Sequence, residues 1–467
     1  MDYLLLGAFV AYSGFILCVG VWGYRKKSFE SFALADRKMG TLLATSAFVA
    51  TFLSAISVIG VSGYASRYGW SAAAFTCYGY ALGWILLLIA AGRLHRSRMT
   101  TIPEFLAVRF DSQSLRVFAG LTIISLYSIT LIVQLLGIGI TMQILIGLNM
   151  TWSILLVGGI FVSYTVLGGL VSVVRTDLVQ AFLLGMGILT AAGVVLWETG
   201  GTVISAPPAA LSGFFGGSVE SPGDLVGWAL VWGLGIPAQS YYLHRFYASR
   251  DEKVARRQIA YGGVVIMVLL LGIILCGTGA GMLIPEDQRG DSAFPYLFKH
   301  VLGGWASLPI LLAITAAVHS TTDGLLHIVG LYFAVDVYRP LKAVRDSNHL
   351  LTISRKATLI FGAIATLAAA YFSMRPIPLI SLLGSIAWGG MASTLFVPLY
   401  FGLFWRRATR AGALASAIGG LLFAIGAFVA RRLEWLPFHE IYPGVIASFL
   451  LMILVSLRTP QGAIPVR

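Results

Sequence analysis

Apolar stretches of about 20 residues recur along the whole chain and limit its fold more than any other feature, because a stretch of that length crosses a bilayer as one α-helix. Of the 467 residues, 58% are hydrophobic and 11% are charged, whereas soluble domains carry about 25% charged residues. We therefore expect an all-α polytopic membrane protein in which residues 1–467 form a single membrane domain.

Thirteen stretches are candidates, of which 443–457 is short and 303–335 is long, so the sequence predicts about 13 transmembrane helices. An odd number of crossings places the two termini on opposite sides of the membrane. The predicted helices cover roughly residues 3–24, 41–65, 70–92, 117–147, 151–170, 177–197, 225–246, 258–283, 303–335, 356–374, 377–405, 411–430 and 443–457.

Lysine and arginine residues are concentrated in alternate connections between these helices. One side of the membrane would hold 26 of the 32 basic residues, mainly within 25–40, 93–116, 245–257, 336–356 and 406–410. Cytoplasmic loops carry such an excess. The bias predicts a plasma (bacterial inner) membrane protein with its N-terminus outside and its C-terminus in the cytoplasm. It also accounts for the net charge of +13, so we infer no nucleic-acid partner. No obligatory protein partner is inferred from the sequence.

Two of the predicted helices contain helix-breaking residues. The segment 41–65 includes Gly60 among several serines, and the segment 225–246 includes Gly235 and Pro237. Transporters built from inverted repeats place interrupted helices at corresponding positions and bind solute and ion there, near the membrane midplane. The pattern predicts one inverted repeat over 41–197 and a second over 225–405, preceded by a leading helix and loop over 1–40 and followed by trailing helices over 411–467.

Neighbouring hydroxyl groups and a carboxylate lie in the middle of the apolar stretch 303–335. Ser320, Thr321 and Asp323 would sit at membrane depth, where polar groups are costly and therefore candidates for function. Hydroxyls with small neighbours can hold a hard, partly dehydrated cation such as Na⁺. The run therefore favours an ion-coupled transporter.

Several motifs appear in order along the chain, and together they resemble the sodium/solute symporter family, which includes bacterial proline and pantothenate carriers. They are Ser31–Arg37, Ile59–Gly63, Thr101–Phe105, Thr176–Gln180 and Gly402–Arg407. The resemblance implies a LeuT-type fold of five plus five inverted helices with one extra helix before and two after. It also implies a secondary active transporter, not an enzyme, that couples Na⁺ to a small organic solute by alternating access.

The resemblance also implies a sodium site where the interrupted helix over 41–65 crosses the helix over 303–335. Its ligands would be the carbonyl oxygens of Ala50, Leu53 and Ala317 and the hydroxyl oxygens of Ser320 and Thr321. The alternative is that the two hydroxyls bond to carbonyls of their own helix, as Ser and Thr often do in membranes.

Two carboxylates suggest further chemistry. By resemblance, Asp177 and Asp323 could form a second cation site, with Asp323 and Gly324 standing where some relatives have hydroxyls. Asp177 could equally be a carboxylate favoured at a helix N-terminus. His327 follows Asp323 by one helical turn, so the pair could carry a proton. Proton-coupled symport through Asp323 and His327 is therefore the alternative function, and histidines packed against carbonyls are the plainer interpretation.

The solute site is expected between the two interrupted helices. Helix-end amides there favour a carboxylate, so an amino acid or organic acid is favoured over a sugar. An intramembrane enzyme is disfavoured, because the sequence has no His-Glu-x-x-His run. The candidate solute-binding residues are Ser54, Ser57, Trp232, Gln239 and Tyr241.

Overall fold

The computed structural model describes five ranges of the chain, and helices dominate all of them. Parts of several predicted segments lie outside the described residues. These parts are residues 25–27 of the loop 25–40, most of the loop 198–224, the starts of the stretches 303–335 and 377–405, and the C-terminal residues 461–467. The described ranges are 1–24, 28–205, 222–302, 307–375 and 380–460.

Eighteen helical elements are numbered here in chain order, and some of them join into longer helices. They are α1 (Tyr3–Tyr24), α2 (Phe29–Leu34), α3 (Thr41–Phe52), α4 (Ile56–Tyr68), α5 (Ser71–Ser97), α6 (Ile102–Phe110), α7 (Gln113–Leu145), α8 (Met150–Glu198), α9 (Pro222–Gly235), α10 (Ser240–Ala248), α11 (Glu252–Leu283), α12 (Ala293–Tyr296), α13 (Ser307–Lys342), α14 (Ser347–Phe372), α15 (Ile380–Met391), α16 (Val397–Phe404), α17 (Arg410–Arg432) and α18 (Ile441–Arg458).

The long apolar helices confirm the expected all-α polytopic membrane protein. Within the described ranges, 9 helices are long and apolar enough to cross a membrane, and a tenth crossing is supplied if the bent pair α3–α4 counts as one. Helix α8 has 49 residues and is kinked at Gly169, whose φ is 59° and ψ −165°. The number 13 remains a prediction.

Both of the helices expected to be interrupted are interrupted. Helix α3 ends at Phe52, Leu53 is extended with φ −80° and ψ 114°, and α4 begins at an angle of 51° to α3. Helix α9 ends at Gly235, and after one 3₁₀ turn Gln239 is extended with φ −71° and ψ 109° before α10. Backbone groups at such breaks leave the helical hydrogen-bond ladder, so they are free for other partners.

The interrupted helices lie in the interior of the bundle. Helix α3 packs against α8, α11 and α13, and α13 packs against α7, α8 and α14. The middle of α13, from Ile310 to Tyr332, is buried, whereas α17 and α18 keep exposed apolar side chains on their outer faces. The fold therefore places the polar run of α13 next to the break that follows α3.

We call the end of the bundle that carries most basic residues the basic end. Arg37 donates there from Nη1 to the carbonyl of Tyr247 and from Nη2 to the carbonyls of Arg98 and Met99, at 3.1–3.3 Å. Arg116 Nε lies 2.8 Å from Asp336 Oδ1 in a buried ion pair. These contacts tie α10 to the end of α5, and α7 to the end of α13.

The opposite end is held by a loop between α11 and α13. The Gly290 N–H donates to Ser66 Oγ at 2.9 Å, and the Ile380 N–H donates to the buried Asp291 Oδ2 at 2.8 Å. Arg67 Nη2 also donates to the carbonyl of Arg289. The loop thus joins the end of α4 to the beginning of α15.

Close helix packing around α4 generates a first prediction. A Cβ added to Gly277 on α11 would meet the Ser62 carbonyl oxygen and would lie 2.7 Å from Ala65 Cβ. Overpacking of this kind costs about 1–3 kcal/mol. We expect Gly277→Ala to lower the melting temperature of the detergent-solubilised protein by several degrees. The measurement is the loss of the monodisperse peak in size-exclusion chromatography after heating.

Gly159→Ala is the matched control, because nothing lies within 4 Å of a Cβ added at that glycine. Alanine favours a helix over glycine by up to about 1 kcal/mol, so this variant should be as stable as the parent or more stable. Equal melting temperatures for the two variants would contradict the packing of α11 against α4.

Candidate cation and solute site

The break after α3 faces a hydroxyl of α13 directly. Ser320 Oγ donates to the carbonyl oxygen of Ala50 at 2.7 Å and also lies 3.1 Å from the carbonyl oxygen of Ala317. Three of the five predicted ligand residues therefore contact one another across the two helices. All three are fully buried.

The other two predicted ligands lie beside this contact. Thr321 Oγ1 donates to the carbonyl oxygen of Thr51 at 3.0 Å. Leu53 is the C-cap residue of α3, and its ψ of 114° turns its carbonyl away from the helix axis direction. The structure gives Thr321 a contact with Thr51 that the sequence did not predict, and it places Leu53 at the break itself.

Bonding within α13 competes for these hydroxyls to different extents. Thr322 Oγ1 donates to the carbonyl of Val318 in its own helix at 2.7 Å. Ser320 makes one contact of this kind and one across to α3, and Thr321 donates across to the Thr51 carbonyl of α3. The orientation of the hydroxyls thus separates the predicted ligands from their neighbour Thr322.

Neutral oxygens make up the crossing, and this donor set suits an alkali cation. Hard cations prefer carbonyl and hydroxyl oxygens, and interrupted helices present such oxygens at membrane depth. Within the described part of the chain, no group of three or more His, Cys, Asp or Glu side chains is placed to hold a metal ion. The residues at the α3–α13 crossing therefore fit Na⁺ better than a transition metal.

Asp177 has a basic partner that the sequence analysis missed. Its Oδ2 lies 2.9 Å from Arg245 Nη2 in a buried ion pair. The same guanidinium donates to Thr51 Oγ1 and to the carbonyl of Tyr241. In the sequence, Arg245 was placed where the predicted helix 225–246 and the basic loop 245–257 overlap; it is 2% exposed within α10, so it belongs to the helix and not to the loop.

Asp323 has a different histidine partner from the one predicted. His319 Nε2 lies 3.1 Å from Asp323 Oδ1, and Thr165 Oγ1 donates to the same oxygen at 3.0 Å. His327 Nε2 instead lies 3.4 Å from the carbonyl oxygen of Ala33. The alternative in which His327 pairs with Asp323 is wrong, and His327 follows the plainer interpretation of a histidine packed against a carbonyl. Contacts with α8 hold His319, whereas the contact with α2 holds His327.

A buried polar network extends outward from this histidine. His319 Nδ1 lies 3.1 Å from Tyr12 Oη and 3.0 Å from Gln180 Nε2, and Gln180 Nε2 donates to Tyr12 Oη at 3.0 Å. The network links α1, α8 and α13. Asp177 and Asp323 thus have separate partners, and the second cation site between them remains a prediction.

Ser54, in the break between α3 and α4, and Ser57, in the first turn of α4, are buried and bonded locally. Ser54 Oγ accepts from the Ile56 N–H at 3.2 Å, and Ser57 Oγ donates to the Phe52 carbonyl at 3.4 Å. These bonds satisfy backbone groups freed by the break. The two hydroxyls are therefore at the expected place, next to the α3–α13 crossing.

Aromatic rings surround the predicted residues of α9 and α10. Trp232 contacts Tyr80 and Trp388 edge-on, with ring centroids 5.7 and 5.3 Å apart. The Tyr241 N–H donates to Tyr127 Oη at 3.2 Å. Gln239 is buried in the extended turn before α10.

The same cluster includes residues that the sequence analysis did not select. Tyr242 stacks on Phe52 with ring centroids 5.4 Å apart, and Phe52 also meets Tyr80 edge-on at 5.0 Å. Phe52 immediately precedes the break, and Tyr242 follows the other break by three residues. Their position beside the two predicted helix breaks is the sequence feature that could have identified them.

The interrupted helices, with an oxygen-rich crossing beside an aromatic cluster, define an ion-coupled transporter of LeuT type. The family model described as "Sodium:solute symporter family" matches residues 32–420. The chain belongs to this family. The sequence-based recognition of the family is therefore confirmed.

Individual relatives match this chain along nearly its full length. The chain is 27% identical to the sodium/pantothenate symporter of Escherichia coli (strain K12), with 97% of each chain covered. It is also 27% identical to the high-affinity proline transporter PutP of Bacillus subtilis (strain 168), covering 95% of this chain and 96% of the relative.

A solved structure of a Na⁺-coupled sialic acid symporter in a substrate-bound outward-open state superimposes with a TM-score of 0.83. The two chains are 18% identical, and 99% of each is covered, which establishes the fold. The protein is thus a sodium-coupled symporter of a small organic solute and not an enzyme.

The orientation of neighbouring hydroxyls generates a prediction for the ion site. We expect Thr321→Ala to raise the Na⁺ concentration at half-maximal binding by about tenfold or more, since hydrogen-bond-like contacts to a charged group contribute about 1.5–3 kcal/mol. Ser320→Ala should act in the same direction. The measurement is displacement of ²²Na⁺ from purified protein.

Thr322→Ala is the control, because Thr322 is adjacent and buried but bonds within α13. Its Na⁺ dependence should stay within about twofold of the parent, since it removes no ligand. Unchanged Na⁺ dependence in both Ser320→Ala and Thr321→Ala would remove these hydroxyls from the site.

Proposed function

We propose that the protein carries an amino acid or another small carboxylate into the cell together with Na⁺, which binds among the oxygens of Ala50, Leu53, Ala317, Ser320 and Thr321. The contact of Ser320 Oγ with the Ala50 carbonyl at 2.7 Å carries this proposal. It brings a hydroxyl of one helix to a carbonyl at the interrupted end of another.

Ion binding at this crossing would join α3 to α13. The chain leaves the helical conformation at Leu53, and Ser54 and Ser57 follow within one turn. A cation that draws the oxygens of both helices together therefore also fixes the wall of the solute pocket. Solute would bind more tightly to the Na⁺-loaded protein, and linkage requires the reciprocal effect on Na⁺.

Two features favour a carboxylate as the solute. Helices α4 and α10 both begin inside the bundle, immediately after a break, and helix N-termini attract anions. The relatives named above carry pantothenate, proline and sialic acid, and each of these solutes has a carboxyl group. The hydroxyls and amide of Ser54, Ser57, Gln239 and Tyr241 could then orient the rest of the solute, with Trp232 as an apolar wall.

The driving force is the inward movement of Na⁺. One positive charge moving down a membrane potential gains about 2.3 kcal/mol per 100 mV, in addition to the concentration gradient. We place the basic end in the cytoplasm and infer that the repeats over 41–197 and 225–405 alternate between outward-open and inward-open arrangements. The surrounding lipid is the partner of the exposed apolar faces of α17 and α18.

Proton coupling is the second candidate, and the buried contact between His319 and Asp323 favours it. In that mechanism the pair would carry the proton in place of the predicted pair of Asp323 and His327. The two mechanisms differ in their response to Na⁺ at constant pH.

A ligand screen followed by a transport assay tests the function. Purified protein is heated with small amino acids, carboxylic acids and sugars, each with Na⁺ or with choline. We expect a carboxylate to raise the melting temperature only when Na⁺ is present. That compound is then supplied to proteoliposomes with an inward Na⁺ gradient, and with choline at the same pH.

Na⁺-dependent accumulation is expected in the transport assay. Equal accumulation with choline would overturn sodium coupling, and accumulation driven by a pH gradient under those conditions would favour the His319–Asp323 mechanism. A sugar as the best ligand would overturn the carboxylate proposal and leave sodium coupling intact.

Cysteine labelling tests the orientation. Asp287 lies in the exposed loop before α12, and Ser347 is exposed at the beginning of α14 at the basic end. In intact cells, a membrane-impermeant maleimide should label Asp287→Cys, whereas Ser347→Cys should be labelled only after permeabilisation. The parent protein provides the background from Cys18, Cys77 and Cys276, and the reversed pattern would contradict a cytoplasmic basic end.

A further inference from the structure

The guanidinium group of Arg245 lies where three helices meet. Arg245 belongs to α10, and its Nη1 donates to the carbonyl of Tyr241 at 3.0 Å in the same helix. Its Nη2 donates to Thr51 Oγ1 at the end of α3 and lies 2.9 Å from Asp177 Oδ2 on α8. One cation therefore connects α3, α8 and α10.

A glycine on the fourth neighbouring helix makes room for this cation. A Cβ added to Gly324 on α13 would lie 3.2 Å from Thr51 Cγ2 and 4.0 Å from Arg245 Nη1. A hydroxyl-bearing side chain at this position would extend toward the guanidinium. The chain instead leaves the position open, two residues beyond Thr322.

Burial makes the pairing of these charges obligatory. The side chains of Arg245 and Asp177 are 2% and 0% exposed, and a buried charge is very costly unless it is paired and hydrogen-bonded. The Asp177–Arg245 pair is electrically neutral. A metal cation beside Asp177 would stand next to a guanidinium of the same sign, so the pair disfavours it.

We propose that Arg245 is a built-in cation that fills the position beside Asp177, so that this chain binds one Na⁺, at the α3–α13 crossing, and none at Asp177. The inference rests on the sodium site proposed above and specifies how many ions it serves. It takes the place of the second cation site predicted for Asp177 and Asp323.

The built-in cation is also linked to the sodium site through Thr51, which contacts the proposed ligand Thr321. Thr51 accepts from Arg245 through its hydroxyl and from Thr321 through its carbonyl, the latter at 3.0 Å. Tyr241, whose carbonyl accepts from Arg245, lies at the beginning of α10 beside the aromatic cluster. Arg245 is thus a positioning residue between the ion site and the solute pocket.

Counting bound Na⁺ tests the proposal without knowledge of the solute. Equilibrium binding of ²²Na⁺ to the purified, full-length protein should saturate at one ion per chain, with a Hill coefficient of one. Saturation at two ions would overturn the proposal and leave sodium coupling intact. No saturable Na⁺ binding would overturn the proposed function as well, so the two failures are distinguishable.

Charge-changing variants give the sharper test. Arg245→Gln removes the built-in cation and leaves the Asp177 carboxylate, so saturation should rise from one ion to two. Arg245→Lys keeps a cation in place and should stay at one ion. A count of one for Arg245→Gln would show that the guanidinium does not occupy a cation position.

A neutral pair covers the case in which Arg245→Gln fails to fold. Asp177→Asn with Arg245→Gln removes both charges and leaves no unpaired ion in the interior. This double variant should still bind one Na⁺, and Ser320→Ala added to it should weaken that binding about tenfold or more. Loss of saturable Na⁺ binding in the double variant would assign the ion to Asp177 and overturn the proposal.

Discussion

Satisfaction of backbone carbonyls at membrane depth is the constraint on which this structure depends. Water is absent from the bilayer core, so a helix can be interrupted only where other groups replace its lost hydrogen bonds. The break after α3 is tolerated because Ser320 and Thr321 reach the carbonyls of Ala50 and Thr51 from α13. A dehydrated alkali cation requires oxygens of this kind. In the sodium site that we propose, the oxygens of Ala50, Ser320 and Thr321 therefore serve both the structural need and ion binding.

The buried carboxylates near this crossing are each paired with a nitrogen-bearing side chain. Each interior carboxylate has its own partner: Asp177 contacts Arg245, and Asp323 contacts His319. The Asp177–Arg245 pair joins α8 to α10, whereas Asp323 and His319 both belong to α13 and are tied to α8 by Thr165 and Gln180. These contacts therefore fix the relation of α8, α10 and α13 in this state.

Much of the fold and part of the site could be predicted, because short sequence patterns indicate them. Apolar length marked the helices, and glycine, proline and serine marked the two breaks. Hydroxyls at membrane depth marked the polar run of α13, and the resemblance to the symporter family supplied Ala50 and Ala317, whose carbonyls Ser320 does contact. Spacing could not choose the partner of Asp323, since His319 and His327 lie four residues before and after it. The choice is made by Thr165, Tyr12 and Gln180 on one side and by Ala33 on the other, all far away in sequence. Arg245 was missed because its charge resembles that of the basic loop that follows it.

The side chain of Arg37 connects two backbone segments at the basic end of the bundle. It donates hydrogen bonds to carbonyls at the end of α10 and between α5 and α6. Arg37 Nε also lies 3.5 Å from Glu30 Oε1. Because Arg37 contacts the end of α10, we expect opening at the basic end to require movement of α10, the helix that also carries Tyr241 and Arg245.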